Sequence, residues 1–244
     1  MMQSVNSVLQ FAVQAADGEI GTVDDCYFDD ARWTIRYLVV RTGSWLSGRR
    51  VLISPAGVRR LDWGSRTISV ALTCEQVRES PDIDTEKPVS RQHEEDLNAY
   101  YGWPLYWNFD PFGVEPLPVA IPMPPPVQVP PPETSHGDPH LRSAHEVKGY
   151  HIEAQDGQVG HVSDFVFDDD SWEVTFLVVD AGNWLHHRLV LLKPGWIGPI
   201  SWEERQVAVR LSREAIRTSP KFLPVFPLPP EYAEQLVRHY DTHG

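Results

Sequence analysis

The chain has few of the residues that usually indicate redox or metal chemistry. Its 244 residues include only two cysteines, Cys26 and Cys74. Two thiols do not make the dense disulfide framework of a small secreted domain. A reduced, cytoplasmic protein is therefore the simplest interpretation.

Long apolar runs and basic blocks are also missing. No apolar run approaches the roughly 18 residues that a membrane-spanning helix needs, and the first residues lack the basic flank and apolar core of an export signal. The chain is acidic, with 34 Asp and Glu against 21 Lys and Arg and a formal net charge of -13. We therefore expect no nucleic-acid surface, no membrane span and no docking on anionic lipid.

Catalytic signatures are scarce as well. The sequence contains neither a Gly-x-Ser-x-Gly nucleophile motif nor a glycine-rich phosphate loop. Cys74 lies near a predicted helix start, where a thiolate would be favoured, but occasional oxidation suits it better than catalysis. We expect no enzymatic activity, no catalytic residue and no cofactor.

The chain does contain a repeated segment. Residues 28–46 read FDDARWTIRYLVVRTGSWL, and residues 167–185 read FDDDSWEVTFLVVDAGNWL, 139 positions later and without a gap. The same offset relates DGEIGTV from Asp17 to DGQVGHV from Asp156. Such a match of glycines, tryptophans and turn residues indicates a duplicated domain, and we expect the copies to superpose strand for strand.

Each copy has the pattern of short strands followed by helices. Asp-Gly pairs predict tight turns, and WTIRYLVV and WEVTFLVV are typical of buried strands. Further short strands are predicted at Val51–Ile53 and Thr67–Ala71. Turns every eight to twelve residues then favour a small barrel or sandwich.

Helices are predicted where capping residues precede apolar positions. Thr73 with Gln76 forms a capping-box pattern, whereas Ser212 has no such partner. Both helices should end before a proline. Further helices are predicted at Arg91–Tyr101 and near Glu231–Tyr240.

A proline-rich segment separates the copies, since 11 of the 22 prolines lie between Pro111 and Pro139. Such a segment cannot bury a core and favours extended polyproline geometry. The predicted organisation is a first repeat at 5–110, a linker at 111–144 and a second repeat at 145–240.

These residues resemble a known family. The run DGEIGTVDDCYFDDARWTIRYLVVRTGSWLSGRRVLISP, with LTCEQVRESPDID and PVSRQHEEDLNAYYGWPLYW, is similar to the PRC-barrel domain. The resemblance implies a mainly β chain of two tandem small PRC-type β-barrels, each followed by short helices. The family includes the cytoplasmic part of the reaction-centre H subunit, the ribosome maturation factor and bacterial stand-alone proteins linked with stress. The stand-alone type implies protein binding or assembly.

Aspartates and histidines leave a metal site open. The Asp clusters at residues 24–30 and 164–170 have a cation-binding composition but lack the spacing of a calcium loop, so turn formation and solvation are preferred. His186 and His187 lie in a turn, and nothing supplies the four ligands of a structural zinc site. Surface histidines are the preferred interpretation, and no metal is expected.

Aromatic residues provide the candidate interface. The repeated LVV strands and the GSWL and GNWL turns are predicted as the centre of a pseudo-two-fold contact between the copies. YYGWPLYW occurs once, and it is either a lid on the first barrel or a docking surface. The candidate interface residues are Trp45, Leu46, Trp184, Leu185, Tyr100, Tyr101, Trp103, Tyr106 and Trp107.

The sequence thus predicts a non-enzymatic interaction or assembly module, with an intrachain contact between barrels and unidentified protein partners. A homodimer stays open. The alternatives are a ligand-binding or enzymatic barrel, which a pocket with convergent polar groups would favour, and an accessory factor for RNA or ribosome maturation, which salt-sensitive RNA association would favour.

Overall fold

The computed structural model describes residues 1–81, 91–104, 141–182 and 187–243. Within these residues the chain is mainly β, with two seven-stranded sheets and short helices. The first repeat contributes β1 Met2–Ser4, β2 Ala12–Gln14, β3 Glu19–Asp29, β4 Thr34–Thr42, β5 Arg50–Ile53, β6 Val58–Asp62 and β7 Thr67–Val70. The second contributes β8 Leu141–Ser143, β9 His151–Ala154, β10 Gly157–Asp168, β11 Val174–Asp180, β12 Leu189–Leu192, β13 Ile197–Ser201 and β14 Gln206–Val209.

Helices occupy equivalent places in the two repeats. A four-residue helix follows the first strand of each repeat, a six-residue helix follows the last strand, and a longer helix closes each repeat. They are α1 Val5–Val8, α2 Cys74–Glu79, α3 Arg91–Tyr101, α4 Ala144–Val147, α5 Arg213–Thr218 and α6 Pro230–His243.

The two sheets have the same strand order. It is β5-β4-β3-β2-β7-β6 in one sheet and β12-β11-β10-β9-β14-β13 in the other. The pairs β2–β7 and β9–β14 are parallel, and the remaining pairs are antiparallel. The predicted duplication is thereby confirmed strand for strand.

The first strand of each repeat, however, belongs to the sheet of the other repeat. β1 pairs antiparallel with β10, placing Gln3 opposite Phe167. β8 pairs antiparallel with β3, placing Arg142 opposite Phe28. The repeats therefore exchange their N-terminal strands reciprocally.

The two exchanged strands lie beyond the bounds predicted for the repeats. Residues 141–144 were assigned to the linker, but they form β8 and begin α4. Residues 2–4 lie outside the predicted first repeat, and they form β1 in the second sheet. The rest of the predicted linker lies outside the described residues.

A glycine in each repeat allows the long central strand to approach its neighbour. A Cβ atom at Gly21 would lie 2.0 Å from the carbonyl oxygen of Arg41, and one at Gly160 would lie 2.0 Å from that of Asp180. Neither position tolerates a side chain without moving backbone. This explains why the second glycine of DGEIG and DGQVG recurs.

The Asp-Gly aspartates also cap the short helices. Asp17 accepts a hydrogen bond of 2.7 Å from the backbone N–H of Cys74 in α2, and Asp156 accepts one of 2.7 Å from Arg213 in α5. These bonds lower the pKa of both carboxyls. The predicted capping box of Thr73 and Gln76 is present, and Ser212 caps α5 without one.

One hydrophobic core joins the two repeats. Buried side chains from both copies form a single cluster that includes Val13, Phe28, Ile68, Phe165 and Leu191. A smaller cluster lies outside the first sheet, under α3, and contains Tyr37, Leu52 and Leu97. The repeats thus bury apolar surface jointly.

Candidate functional site

The strand-exchanged interface holds two carboxylates with a repeated geometry, the half-buried Asp25 and the buried Asp164. We define the exchange interface as β1 and β8, the helices α1 and α4 that follow them, and the strands β3 and β10 with the β3–β4 and β10–β11 turns. β1 and α1 contact β10, β8 and α4 contact β3, and the two turns contact each other. The interface is therefore built twice, around a pseudo-two-fold axis.

Asp25 anchors one of the two exchanged strands. Its carboxylate accepts hydrogen bonds from the Ser143 hydroxyl, from the backbone N–H of His145 at 3.0 Å, and from its own neighbour Cys26 at 2.7 Å. Ser143 is also the N-cap of α4. One carboxylate of the first repeat thus fixes both the end of β8 and the start of the helix after it.

Asp164 of the second repeat makes the equivalent contacts to the exchanged strand of the first repeat. It accepts hydrogen bonds from the Ser4 hydroxyl, from the backbone N–H of Asn6 at 3.2 Å and from that of Phe165 at 2.8 Å. Burial raises the pKa of both Asp25 and Asp164, and their hydrogen bonds offset this only in part. A carboxylate paired in this way fixes the exchanged strand and the start of the helix that follows it.

A pair of backbone hydrogen bonds joins the turns across the axis. Ile35 donates to the carbonyl of Trp172 at 2.8 Å, and Val174 donates to the carbonyl of Trp33 at 2.7 Å. Both tryptophans have positive φ, 51° for Trp33 and 60° for Trp172. This conformation is uncommon for a large side chain, and here it aims each carbonyl at the other repeat.

The repeated FDD sequence builds these turns. Asp29 accepts hydrogen bonds of 2.9 Å from the backbone N–H groups of Ala31 and Arg32. Asp168 accepts similar bonds from Asp170 and Ser171. The first aspartate of each FDD therefore forms the predicted turn, but the turn itself serves the interface.

Aromatic rings occupy the centre of the interface. The rings of Phe28 and Phe165 lie 4.9 Å apart across it, and each repeat also packs a phenylalanine against its own turn tryptophan. Cys26 is fully buried nearby. Its burial, together with Asp25 and Asp164, raises the pKa of its thiol, so the sulfur behaves as a small apolar group.

Some contacts of the interface occur once. Arg142 donates to Asp30 at 2.8 Å, and the Lys148 ammonium donates to the side-chain oxygen of Asn6 at 2.7 Å. The indole N–H of Trp63 reaches across to Asp169 at 2.7 Å. These contacts distinguish the two halves of the interface.

Of the residues predicted at the centre of the interface, Trp45 and Leu46 lie in the described part of the chain. Trp45 is half-buried, and its indole N–H donates to the carbonyl of Ile20 at 2.9 Å within its own repeat. The guanidinium of Arg78 lies 5.7 Å from its ring centroid. Leu46 is half-buried beside it, and Trp184 and Leu185 lie outside the described residues.

We call YYGWPLYW, residues 100–107, the aromatic segment. Its described part packs at the end of α3. The rings of Tyr101 and Trp103 stack with centroids 4.3 Å apart, and Trp103 lies against Gly57. In the second repeat the residue equivalent to Gly57 is Trp196, which lies 4.3 Å from Tyr240. The Trp103 ring of the first repeat therefore occupies the space beside Gly57 that corresponds to the Trp196 side chain of the second repeat.

Tyr100, at the start of that segment, is the exposed aromatic residue of its described part. Tyr100 is 40% exposed, and its hydroxyl donates to the carbonyl of Gln76 at 2.9 Å. Tyr106 and Trp107 lie outside the described residues. Tyr101 and Trp103 thus have the contacts expected of a lid, and a docking role for the others stays a prediction.

The remaining polar candidates have structural partners. The carboxylates of Asp168, Asp169 and Asp170 lie within 4.8 Å of one another, and the Met1 amino group contacts them. His187 contacts the buried Asp180, and His186 lies outside the described residues. Burial and the neighbouring Asp17 raise the pKa of the Cys74 thiol, contrary to the activation expected from a helix start.

The sequence alone did not predict the buried polar side chains under α3. Tyr37 donates to Glu94 at 2.9 Å, and the Asn98 amide donates to the Tyr37 hydroxyl at 3.2 Å. The equivalent residues of the second repeat are Phe176, Ala233 and Val237. Only comparison of the repeats in register reveals this difference.

The architecture is that of a duplicated β domain whose copies exchange strands. In the described part of the chain, no helix has the length and apolar character needed to cross a bilayer. The sequence profile of the PRC-barrel domain matches residues 2–73 and again residues 139–209. The chain belongs to the PRC-barrel family and carries two such domains in tandem. A comparison with curated proteins finds no match.

Proposed function

We propose that this chain is a non-enzymatic interaction and assembly module of the stand-alone PRC-barrel type. The observation that carries the proposal is the reciprocal use of Asp25 and Asp164. These carboxylates would be the natural acids or bases of an enzyme. Their acceptor oxygens are instead committed to holding the strand and helix of the other repeat.

The thiols support the same proposal. The pKa of Cys26 and of Cys74 is raised, so neither is activated as a nucleophile. A cytoplasmic location suits two free thiols. The link to stress is an expectation from the family alone.

An external protein partner is proposed to dock at the exposed Tyr100 together with the neighbouring aromatic residues Tyr106 and Trp107. Tyr and Trp supply large contact area at low cost in conformational entropy, which makes them frequent hot spots. The lid residues Tyr101 and Trp103 would fix the position of this segment. The partner itself is to be identified by experiment.

The test compares three full-length baits in affinity capture from the native host. The wild type and a W202S control should retain the same partner, because Trp202 is an exposed aromatic of the other repeat. The Y106S/W107S variant should lose it. Equal capture by all three baits, or substrate turnover by the purified protein, would contradict the proposal.

A further inference from the structure

Two repeats of one fold can pair in three ways: first with second, first with first, or second with second. We propose that the exchange interface is heterotypic, so that each repeat accepts the other repeat and rejects a second copy of itself. The contacts of Asp25 and Asp164 are common to all three pairings. Selectivity must therefore come from positions at which the repeats differ.

The first such position lies in the apolar centre. Phe165 packs on Phe28, and the residue equivalent to Phe165 in the first repeat is the fully buried Cys26. The pseudo-two-fold axis therefore pairs Phe28 with Phe165 on one side, and Phe167 with Cys26 on the other. One side has two large groups and the other has one large and one small.

Either homotypic pairing would upset this volume. Two first repeats would place a phenylalanine against a cysteine on both sides and leave voids. Two second repeats would place two phenylalanines on both sides and overpack the core. Only the heterotypic pair has the volume observed.

The second position is the ion pair at the exchanged strand. Arg142 pairs with Asp30, whose side chain is 10% exposed. The residue equivalent to Arg142 in the first repeat is Gln3. A pair of first repeats would thus replace the arginine at Asp30 with the partners that Asp169 has beside Gln3, the amino group of Met1 and the indole of Trp63.

The third position is the contact between α1 and the end of α4. Lys148 donates to Asn6, and their equivalents are Leu9 and His145. A pair of second repeats would set Lys148 opposite His145, exchanging an amide acceptor for a second basic group. Each homotypic pairing therefore loses at least one polar contact as well as the fit at Cys26.

The first test exploits the volume argument in the full chain. C26F places two phenylalanines together on both sides of the axis, and F165C places a phenylalanine against a cysteine on both sides. Each variant should therefore lower the urea midpoint of unfolding. The double variant C26F/F165C restores one of each, and its midpoint should return at least halfway to wild type. In the control C26F/F222C, the lost volume is a buried ring in the second repeat, outside the exchange interface, and no recovery is expected.

Additive losses in C26F/F165C, as large as in the control, would overturn the proposal.

The second test measures directly which repeats pair. A protease site is placed in residues 111–140, folded protein is cleaved, and the halves are unfolded and refolded together. Native mass spectrometry should find heterotypic pairs almost alone. Homotypic pairs in the proportions of random pairing would also overturn it.

Discussion

At the scale of single residues, a few repeated side chains carry the assembly. Ser4 and Ser143 donate to Asp164 and Asp25, and each of these carboxylates also receives a backbone N–H from the helix that follows the serine. Removing a buried acceptor leaves several donors without partners. This costs more free energy of unfolding than the net contribution of a single hydrogen bond.

Replacing Asp164 with alanine should therefore lower the free energy of unfolding by about 1–3 kcal/mol. D164N keeps one oxygen acceptor and should lose less. The matched control is D170A, because the Asp170 side chain is 93% exposed, and its effect should stay within about 0.5 kcal/mol. Urea unfolding measures all three, and equal losses in D164A and D170A would contradict the anchoring role.

The buried carboxyls also predict a dependence on pH. Since the pKa of Asp25 and Asp164 is raised in the folded state, the folded protein holds more protons than the unfolded chain just above the unfolded pKa of 3.8. Their contribution to stability is therefore present at low pH and lost as pH rises through the raised pKa. The amides of D25N/D164N lack this loss.

The difference in unfolding free energy between D25N/D164N and wild type should thus shift in favour of the variant as pH rises from about 4 and then become constant. Urea titrations across that range measure it. A difference that does not change with pH would show that neither carboxyl titrates with a raised pKa.

At the scale of elements, the same fold is completed by different residues in the two repeats. Trp103 arrives after α3 and lies on Gly57, whereas Trp196 of the second repeat occupies the equivalent position directly. The outer face of the first sheet carries Tyr37 with Glu94 and Asn98, and the second sheet has apolar residues there. Each repeat therefore matches its own closing helix.

Moving the tryptophan should be tolerated where removing it is not. W103A opens a cavity and should cost about 2–4 kcal/mol, and G57W alone should clash, because a Cβ at Gly57 lies 3.0 Å from the Trp103 ring. In G57W/W103A the new ring takes the place of the old one, as in the second repeat. Thermal unfolding should show the double variant to be more stable than either single variant.

The elements were predictable to the extent that their local sequence controls them. The strand predicted at Thr67–Ala71 and the capped helix after Thr73 follow from alternation and capping, and they are found as β7, Thr67–Val70, and α2. β6 was not predicted, because VRRLD has no apolar alternation and none of its residues is buried. The interface could not be predicted from composition, because the apolar GSWL turn packs within its own repeat.

At the scale of the whole molecule, the exchanged strands and the shared core join the two repeats. Residues 2–4 could have paired with β3 of their own repeat, since Asp25 and Asp164 offer the same acceptors. Sequence repeats give the register of 139 but not which copy receives the strand, because both choices satisfy the same hydrogen bonds. The choice is visible only in three dimensions.

Cutting the connection should therefore leave the molecule intact. After cleavage at a protease site placed in residues 111–140, the two halves should elute together in size-exclusion chromatography with light scattering, held by the shared core and both exchanged strands. Cleaved halves that separate at micromolar concentration would contradict a shared core.

The most direct test of strand exchange uses two disulfide variants of that cleavable chain. Exchange places Ser4 beside Asp164, so oxidised S4C/D164C should run as one covalently joined species after cleavage on a non-reducing gel. Pairing within the repeat would place Ser4 beside Asp25 instead. Two separate halves from S4C/D164C, with a disulfide formed inside the first repeat of S4C/D25C, would contradict the exchange.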